Sequence, residues 1–370
     1  MASRGTIAEI SLGAISSNLD KVRLKVGKRK ILAVIKASAY GHGAVAVAKI
    51  LISKGVDMFG VATVGEGIEL RDAGITHNII VLSGITPDEV DELLNYNLTP
   101  VIYNPSIAKY ISEESRKKDR VTGIHIKVDT GMGRLGIIAE ESADIIKKIT
   151  ELKCLRPEGI MTHFADADLS DKEYARFQLK RFNDAIDGLK RFGINIPLVH
   201  AANSAAILTF GQSYFDMVRP GIMLYGYTPS DHIDNADLIP ALTLKTKILD
   251  LKRVPAGTPI SYGKTFVTKR DSVISILPIG YADGYSRMLS NRGEVLVRGR
   301  RAPVVGRVCM DMTMADVTDI PDVDEGNEAV LIGKQGRELI TADDVAKWTG
   351  TIPYEVLCSI SSRVQRVYKE

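Results

Sequence analysis

Between about residues 30 and 225, short β-rich runs alternate with amphipathic helical stretches, and this alternation limits the fold more than any other feature of the chain. The runs fall at 31–36, 58–63, 78–83, 98–103, 123–129, 157–163, 197–202 and 215–219, with helical patterns such as 44–53, 65–72, 87–95 and 172–191 between them. Strands buried on both faces need helices over the outside of their sheet. Eight β/α units at this spacing predict a closed parallel (β/α)8 barrel of the TIM type; a doubly wound open sheet is the alternative, and the strand count argues against it. After about residue 240 the texture changes to short β-rich runs at 242–252, 272–277, 294–298, 302–308 and 329–332, separated by Gly, Pro and Asp. That pattern predicts a mainly β domain. Only 341–349, opened by a Thr341 cap with Asp344 in its first turn, and 353–359 read as helices within it. The stretch 227–239 is the candidate linker, so the barrel is expected over 1–238 and the β domain over 239–370.

Composition narrows the function classes. With 45% hydrophobic and 25% charged residues the chain is an ordinary globular mixture. Its 48 basic and 45 acidic residues give +3 without a block of like charge, which makes nucleic acid and acidic membrane surfaces poor partners. Residues 1–6 lack the apolar stretch of a signal peptide, and no later run approaches the ~20 apolar residues of a membrane span, so a cytoplasmic protein is expected. Cys154, Cys309 and Cys358 are widely spaced, with neither a CxxC pair nor a Cys/His cluster, and neither a disulfide framework nor a metal site is expected.

In such a barrel the active site lies at the carboxyl ends of the strands. Lys36 follows the apolar run 31–35 and precedes a glycine-rich turn, ASAYGHG (37–43). A partly desolvated amine loses its charge more readily, and a neutral amine condenses with an aldehyde. The bland alternative is a lysine snorkelling to water. Further polar residues collect at the same end: Lys127 and Asp129 in strand five, Arg134 just beyond, His163 closing strand six, Asn203 and Ser204 after strand seven, and Arg219 closing strand eight. In strand five Ile124, Ile126 and Val128 alternate with His125, Lys127 and Asp129, so the polar set should point into the barrel. A buried lysine there is costly unless neutralised, and a Lys127–Asp129 ion pair is the structural alternative. Ser204 opens the helix after strand seven, and Arg219-Pro220-Gly221-Ile222 turns out of strand eight, the two loops that often cradle phosphate in barrels. A strand-end lysine and a phosphate cradle together point to pyridoxal phosphate.

The motifs then become specific. VIKASAYGHG (34–43) resembles the pyridoxal-phosphate lysine segment of bacterial alanine racemases, with Ser38 where that segment usually has Asn. KVDTGMGRLG (127–136), THFADAD (162–168), HAANSAA (200–206), VRPGIMLYG (218–226), SYGKTF (261–266), LPIGYADGYSR (277–287) and GRVCMDMTMADVT (306–318) resemble further motifs of that family, in its order. The resemblance implies a fold-type III pyridoxal-phosphate barrel followed by a β domain, in a head-to-tail homodimer whose active sites are shared between subunits. It implies interconversion of L- and D-alanine, supplying D-alanine for peptidoglycan.

Inverting Cα requires two bases facing each other across the planar carbanion, because one base tends to return the proton to the face it left. Lys36 can serve one face, and the resemblance assigns the other to Tyr262 of the partner subunit. A phenol, with a reference pKa of ~10, needs positive charge or hydrogen bonding to act as a base, and His163 beside Arg219 would supply that link. Most pyridoxal enzymes set a carboxylate against the pyridine nitrogen. Arg219 there would leave that nitrogen unprotonated and disfavour side reactions. By the same resemblance Arg134 and the Met310 backbone hold the substrate carboxylate, with Arg134 oriented by a carbamate on Lys127. Tyr40, Ser204, Gly221, Ile222 and Tyr354 resemble the phosphate ligands, and Tyr281, Arg287, Arg307, Asp168 and Tyr354 an access corridor whose narrowness favours a small side chain. The rival readings are a racemase of serine or of broader specificity, a fold-sharing decarboxylase, and a non-catalytic pyridoxal-phosphate carrier. The last would need neither the β domain nor Tyr262.

Overall fold

A computed structural model of the protein describes residues 5–233 and 237–370, so part of the expected linker, 234–236, lies outside the described residues. The chain forms two compact units, one of Ile15–Ala39 and Ala44–Ile239, the other of Met1–Ala14, Tyr40–Gly43 and Pro240–Glu370.

The first unit is the barrel. Its strands are Lys30–Val34, Met58–Val61, Asn78–Val81, Thr99–Ile102, Thr122–Asp129, Leu155–Met161, Leu198–His200 and Met217–Val218, numbered one to eight here. Neighbours pair in parallel, and Met217 of strand eight pairs with Lys30 of strand one, so the sheet closes on itself. Strands such as Lys30–Val34 and Met58–Val61 are nearly continuous in apolar residues because helices cover them outside while side chains fill the barrel inside. Glu173–Arg191 shows how a helix meets that need: Ala175, Leu179, Phe182, Ala185 and Leu189 recur at helical spacing and form its buried stripe. At the carboxyl end of strand two, Thr63 caps the helix Val64–Asp72 by accepting the Glu66 backbone N–H at 3.3 Å.

The second unit is mainly β. Its largest sheet runs Arg300–Pro303, Glu294–Val297, Glu328–Gln335, Leu242–Lys247, Ile7–Ser11, Gln365–Lys369, with Glu338–Ile340 added at Glu328–Gln335. A three-stranded sheet joins Asp250–Val254, Ser272–Leu277 and Thr313–Asp316, and packs around Ile260, Ile274, Val305 and Met314. Ala342–Thr349 is helical, and Thr341 and Asp344 close a reciprocal cap.

In the second half of the chain the change from one unit to the other falls at Ile239/Pro240. Residues up to Ala14, together with Tyr40–Gly43, go with the β unit rather than the barrel. Ile7–Ser11 pairs antiparallel with Leu242–Lys247 and parallel with Gln365–Lys369, so both of its edges are satisfied by segments remote in sequence. Its alternation buries Ala8 and Ile10 completely, while Glu9 reaches Lys245 at 3.3 Å. Five alternating residues declare a strand but not which sheet takes it.

Because Ile10 sits in an inner strand of that sheet, Ile10→Ala should cost about 2–5 kcal/mol through lost burial and the cavity left behind. Urea unfolding measures the loss, and hydrogen exchange should show the weakening in the amides of Leu242–Lys247, which pair with it.

Candidate active site

The polypeptide leaves strand one in an unusual way. Ile35 still donates its N–H to the Gly60 carbonyl at 2.9 Å, and Lys36 follows. Ala37, Ser38, Ala39 and Tyr40 then take φ values of 51°, 50°, 53° and 54°, a left-handed turn made of four residues that are not glycine. Each such residue costs roughly 1–2 kcal/mol. Within the expected glycine-rich turn the positive φ begins at Ala37, four residues before Gly41, and Gly41 and Gly43 continue it at 82° and 94°. A Cβ on Gly41 would lie 2.2 Å from the Leu357 carbonyl oxygen, so that position admits only glycine. Ser38 is exposed, consistent with a side chain facing away from Lys36.

Inside the barrel, strand five does what its alternation suggests. Ile124, Ile126 and Val128 are fully buried, as are His125 and, at 4% exposure, Lys127. Lys127 and Asp129 do not form the alternative ion pair. The Asp129 carboxylate turns to the following loop and accepts N–H groups from Gly131 at 2.9 Å and Gly133 at 3.2 Å. Burial pushes the Asp129 carboxyl up, but backbone donors from Gly131, Gly133, Met132 and Arg134 outweigh it and hold it below its ordinary value. Lys127 is lowered to about 8, first by burial and then by the positive charges of Arg134 and Arg219, with Lys36 adding a smaller push in the same sense.

Arg219 closes strand eight and is 3% exposed. Asp216, three residues earlier, is not its partner, for its carboxylate accepts the Val199 N–H at 2.8 Å. Arg219 Nη2 donates to the carbonyls of Thr162 at 2.7 Å and Ala201 at 2.8 Å and lies 3.4 Å from His163 Nδ1. Nη1 lies 2.9 Å from His200 Nδ1, and His200 Nε2 lies 2.9 Å from His125 Nδ1. A guanidinium has no acceptor, which fixes the protons along this chain. His200 Nδ1 accepts, so Nε2 carries the proton and donates to His125 Nδ1. The His125 proton then sits on Nε2, a buried atom with no hydrogen-bond partner. Burial and the Arg219 charge lower both imidazoles, His125 to about 3 and His200 well below its ordinary value. His163 is lowered well below its ordinary value by the same two causes, with Lys127, Arg134 and Lys36 contributing. Burial brings Arg219 down to about 9, still charged at neutral pH. The Nε–H takes no part in these bonds and is left for an acceptor.

The two loops expected to hold phosphate meet directly. Asn203, rather than Ser204, caps the helix Ser204–Thr209 by accepting the Ala206 N–H at 3.0 Å. Ser204 is thereby released, and its Oγ accepts the Gly221 N–H at 2.8 Å. Ile222 opens a buried turn, Ile222–Tyr225, immediately after. Asp168 also lies in the barrel unit, where its carbonyl accepts the Ser230 hydroxyl at 3.3 Å.

The other expected residues belong to the β unit. The rings of Tyr40 and Tyr354 lie 5.9 Å apart, tilted by 50°. Tyr262 is 72% exposed on a tight turn, Tyr262–Lys264, flanked by Ser261 at φ 63° and containing Lys264 at φ 51°. The Ser261 hydroxyl donates to the Arg307 carbonyl at 2.7 Å. Met310 is 53% exposed, and its carbonyl accepts the Ala282 N–H at 3.0 Å. Tyr281 is exposed at the start of the next turn, and Arg287 opens another, Arg287–Leu289.

Sequence reasoning missed His200 and Thr162 as partners of Arg219, and Glu66, whose carboxylate reaches the backbone after Lys36. The register carries the signal for His200, which pairs with both Met161 and Met217 and so faces the same ring as Arg219.

This donor set suits pyridoxal phosphate: a strand-end amine, several mutually repelling cations that call for an anion, a hydroxyl tied to a loop N–H, and a charged N–H left for an acceptor. Fold and site define a class, the pyridoxal-phosphate barrel proteins that carry a C-terminal β domain. Residues 10–229 match the family model described as the N-terminal domain of alanine racemase, and residues 241–368 match its C-terminal domain. The alanine racemase of Halothermothrix orenii is 50% identical over 99% of this chain and 97% of its own. Two solved structures are also similar. The alanine racemase of Bacillus anthracis with bound L-Ala-P has a TM-score of 0.93 at 38% identity, covering 100% of this chain and 96% of that one. That of Bartonella henselae with covalently bound pyridoxal phosphate has 0.90 at 31%, covering 100% of both. The chain belongs to the alanine racemase family, whose members are pyridoxal-phosphate-dependent isomerases.

The neutral imidazoles make a pH prediction. An unfolded histidine protonates near its reference value of ~6.5, whereas His125 and His200 stay neutral when folded, so acid favours the unfolded chain. Their contribution is fully present above about pH 6.5 and is lost as pH falls from there toward 3, at up to about 1.4 kcal/mol per pH unit for each ring. Urea unfolding at pH 7 and pH 5 measures it. His125→Asn should shrink the acid loss, and an unchanged loss would count against the assignment.

Proposed function

We propose that this chain interconverts L- and D-alanine, with pyridoxal phosphate held at Lys36. When bound, the cofactor supplies the aldehyde that takes up the amino group and an electron sink that acidifies the Cα–H bond. The single observation that carries the reading is the buried Arg219 in a chain of this family. Its free N–H is a charged donor that cannot take up a proton, so the ring nitrogen facing it would stay unprotonated. His200 and the Thr162 and Ala201 carbonyls hold that guanidinium in place. Ser204, Gly221, Ile222, Tyr40 and Tyr354 are the phosphate ligands in this reading. Arg134 and the Met310 backbone bind the substrate carboxylate. Lys127, as a carbamate, would orient Arg134, and its lowered pKa keeps part of its amine neutral and open to that modification. Tyr281, Arg287, Arg307, Asp168 and Tyr354 line the access corridor.

Lys36 Nζ moves the proton on one face of Cα, and the Tyr262 phenolic oxygen of a second copy moves it on the other. The exposure of Tyr262 on a stiff turn supports this, because a base that serves another subunit must stand out from its own. The chain is accordingly a homodimer with shared sites and works in the cytoplasm, providing D-alanine for peptidoglycan. Among the described residues no helix is long and apolar enough to cross a membrane.

Each base serves one enantiomer, so Tyr262→Phe should slow proton abstraction from L-alanine by about 10²–10⁴-fold while abstraction from D-alanine by Lys36 persists. Exchange of the Cα hydrogen with deuterated solvent, followed for each enantiomer separately, reads this directly. Equal loss for both, with cofactor still bound, would count against the split roles.

Sharing of the site predicts complementation. Lys36→Ala and Tyr262→Ala should each be inactive, whereas a mixed dimer has one site with both residues and one with neither. Statistical mixing makes about half the dimers mixed, so roughly a quarter of wild-type activity should return. Refolded mixtures that contain the mixed dimer yet stay as inactive as the parents would place both bases in one chain.

A further inference from the structure

The left-handed turn after Lys36 is costly, and something must hold it. Three successive residues, Ala37, Ser38 and Ala39, sit near φ 50° and ψ 50°, and Tyr40 continues at φ 54°. Left to itself such a segment would relax toward right-handed or extended backbone, and the direction in which Lys36 projects would change with it. Ala37 and Ser38 are exposed, so their side chains supply little packing to resist that relaxation. One side chain reaches the turn's backbone from a neighbouring element. Glu66 Oε1 accepts the Ala37 N–H at 2.7 Å, and its other oxygen, Oε2, accepts the Ala62 N–H at 2.6 Å.

The sequence around Glu66 makes this placement informative. Thr63-Val64-Gly65-Glu66 is a capping-box pattern, in which the glutamate would ordinarily turn back to the N–H of its own cap. Thr63 performs its half, accepting the Glu66 N–H, but the carboxylate is spent elsewhere. One oxygen goes to the chain leaving strand two and the other to the chain leaving strand one, so a single charged acceptor ties two adjacent strand ends together at the end of the barrel where Lys36 lies. Hydrogen bonds to a charged acceptor are about twice as strong as neutral ones. Two of them on one rigid helix start suit a brace. We propose that Glu66 is a positioning residue: it holds the strained turn 37–40 in its left-handed form and so fixes the backbone from which Lys36 presents its amine to the cofactor. The inference rests on the reading of Lys36 as the cofactor-bearing residue.

The test uses strain relief, which a merely structural glutamate would not answer to. Glycine adopts positive φ without the Cβ penalty, so glycines in the turn should replace the brace. The holoenzymes compared are wild type, Glu66→Gln, Glu66→Ala, and Glu66→Ala combined with Ala37→Gly and Ser38→Gly. Fold is followed by circular dichroism and thermal unfolding, cofactor retention by the decay of visible absorption after transfer to cofactor-free buffer, and the attachment point by borohydride reduction and peptide mapping. Glu66→Ala should release pyridoxal phosphate about tenfold faster than wild type, the loss expected for one charge-assisted hydrogen bond. Glu66→Gln, which keeps one acceptor oxygen, should fall between, and the two glycines should recover most of the retention. Wild-type retention in Glu66→Ala, or no recovery by the glycines in a folded protein, overturns the inference. If Glu66→Ala does not fold, Glu66→Gln with and without the glycines carries the same comparison. Labelling of wild type at a lysine other than Lys36 overturns the underlying reading instead, whereas labelling at Lys36 with Glu66 variants that behave as wild type overturns this inference alone.

Discussion

A guanidinium buried at the end of a barrel strand needs acceptors on every side, and satisfying Arg219 organises much of the site. Two carbonyls, Thr162 and Ala201, come from the ends of strands six and seven, and the imidazole of His200 comes from strand seven itself. Each must present a lone pair, so the protons on His200 and His125 have one arrangement available. Protonating either ring would set two donors against each other in a dry interior, which is why both imidazoles remain neutral. Burial first, and the Arg219 charge with it, lowers Lys127 and His163, so the pocket is a field of cations and neutral acceptors. Anions are what such a field accommodates, and both a phosphate and an amino-acid carboxylate meet the requirement.

Much of this could be read from the chain alone because it follows from periodicity. The eight barrel strands were visible as short β-rich runs alternating with amphipathic helical stretches, and the inward direction of His125 and Lys127 followed from the two-residue repeat of strand five. Thr341 was legible as a cap because its partner Asp344 is three residues away. What escaped depends on contacts between distant residues or on backbone states that no pattern announces. Ile7–Ser11 has too few residues to reveal that its neighbours are Leu242–Lys247 and Gln365–Lys369. The contact between His125 and His200 spans 75 residues and arises only when the barrel closes. The left-handed conformation of Ala37, Ser38 and Ala39 runs against the intrinsic preference of all three, so the sequence marks a turn over 37–43 without revealing its hand at these residues. Glu66 was hidden for a related reason, since its spacing from Thr63 already has an ordinary local explanation.

The charge states within the barrel unit also bear on where a second base can come from. A base for proton transfer at neutral pH must be able to gain a proton there without breaking what holds it. His200 and His163 face the Arg219 guanidinium through Nδ1, and His125 Nδ1 accepts the His200 Nε2–H, so none of the three can be protonated without opposing a donor. Asp129 is committed to the loop amides and held below its ordinary value. Lys127, lowered to about 8 by burial and then by Arg134 and Arg219, is mostly charged at neutral pH and so has little capacity to take up a proton there. Of the side chains gathered at this end of the barrel, Lys36 is left as the group suited to exchange a proton with substrate, and it can serve only one face of Cα. A racemase built on this barrel must therefore draw its opposing base from outside the barrel unit. Tyr262, standing out from the β unit on a turn flanked by the positive-φ residues Ser261, Gly263 and Lys264, is a side chain whose exposure and fixed backbone answer that need.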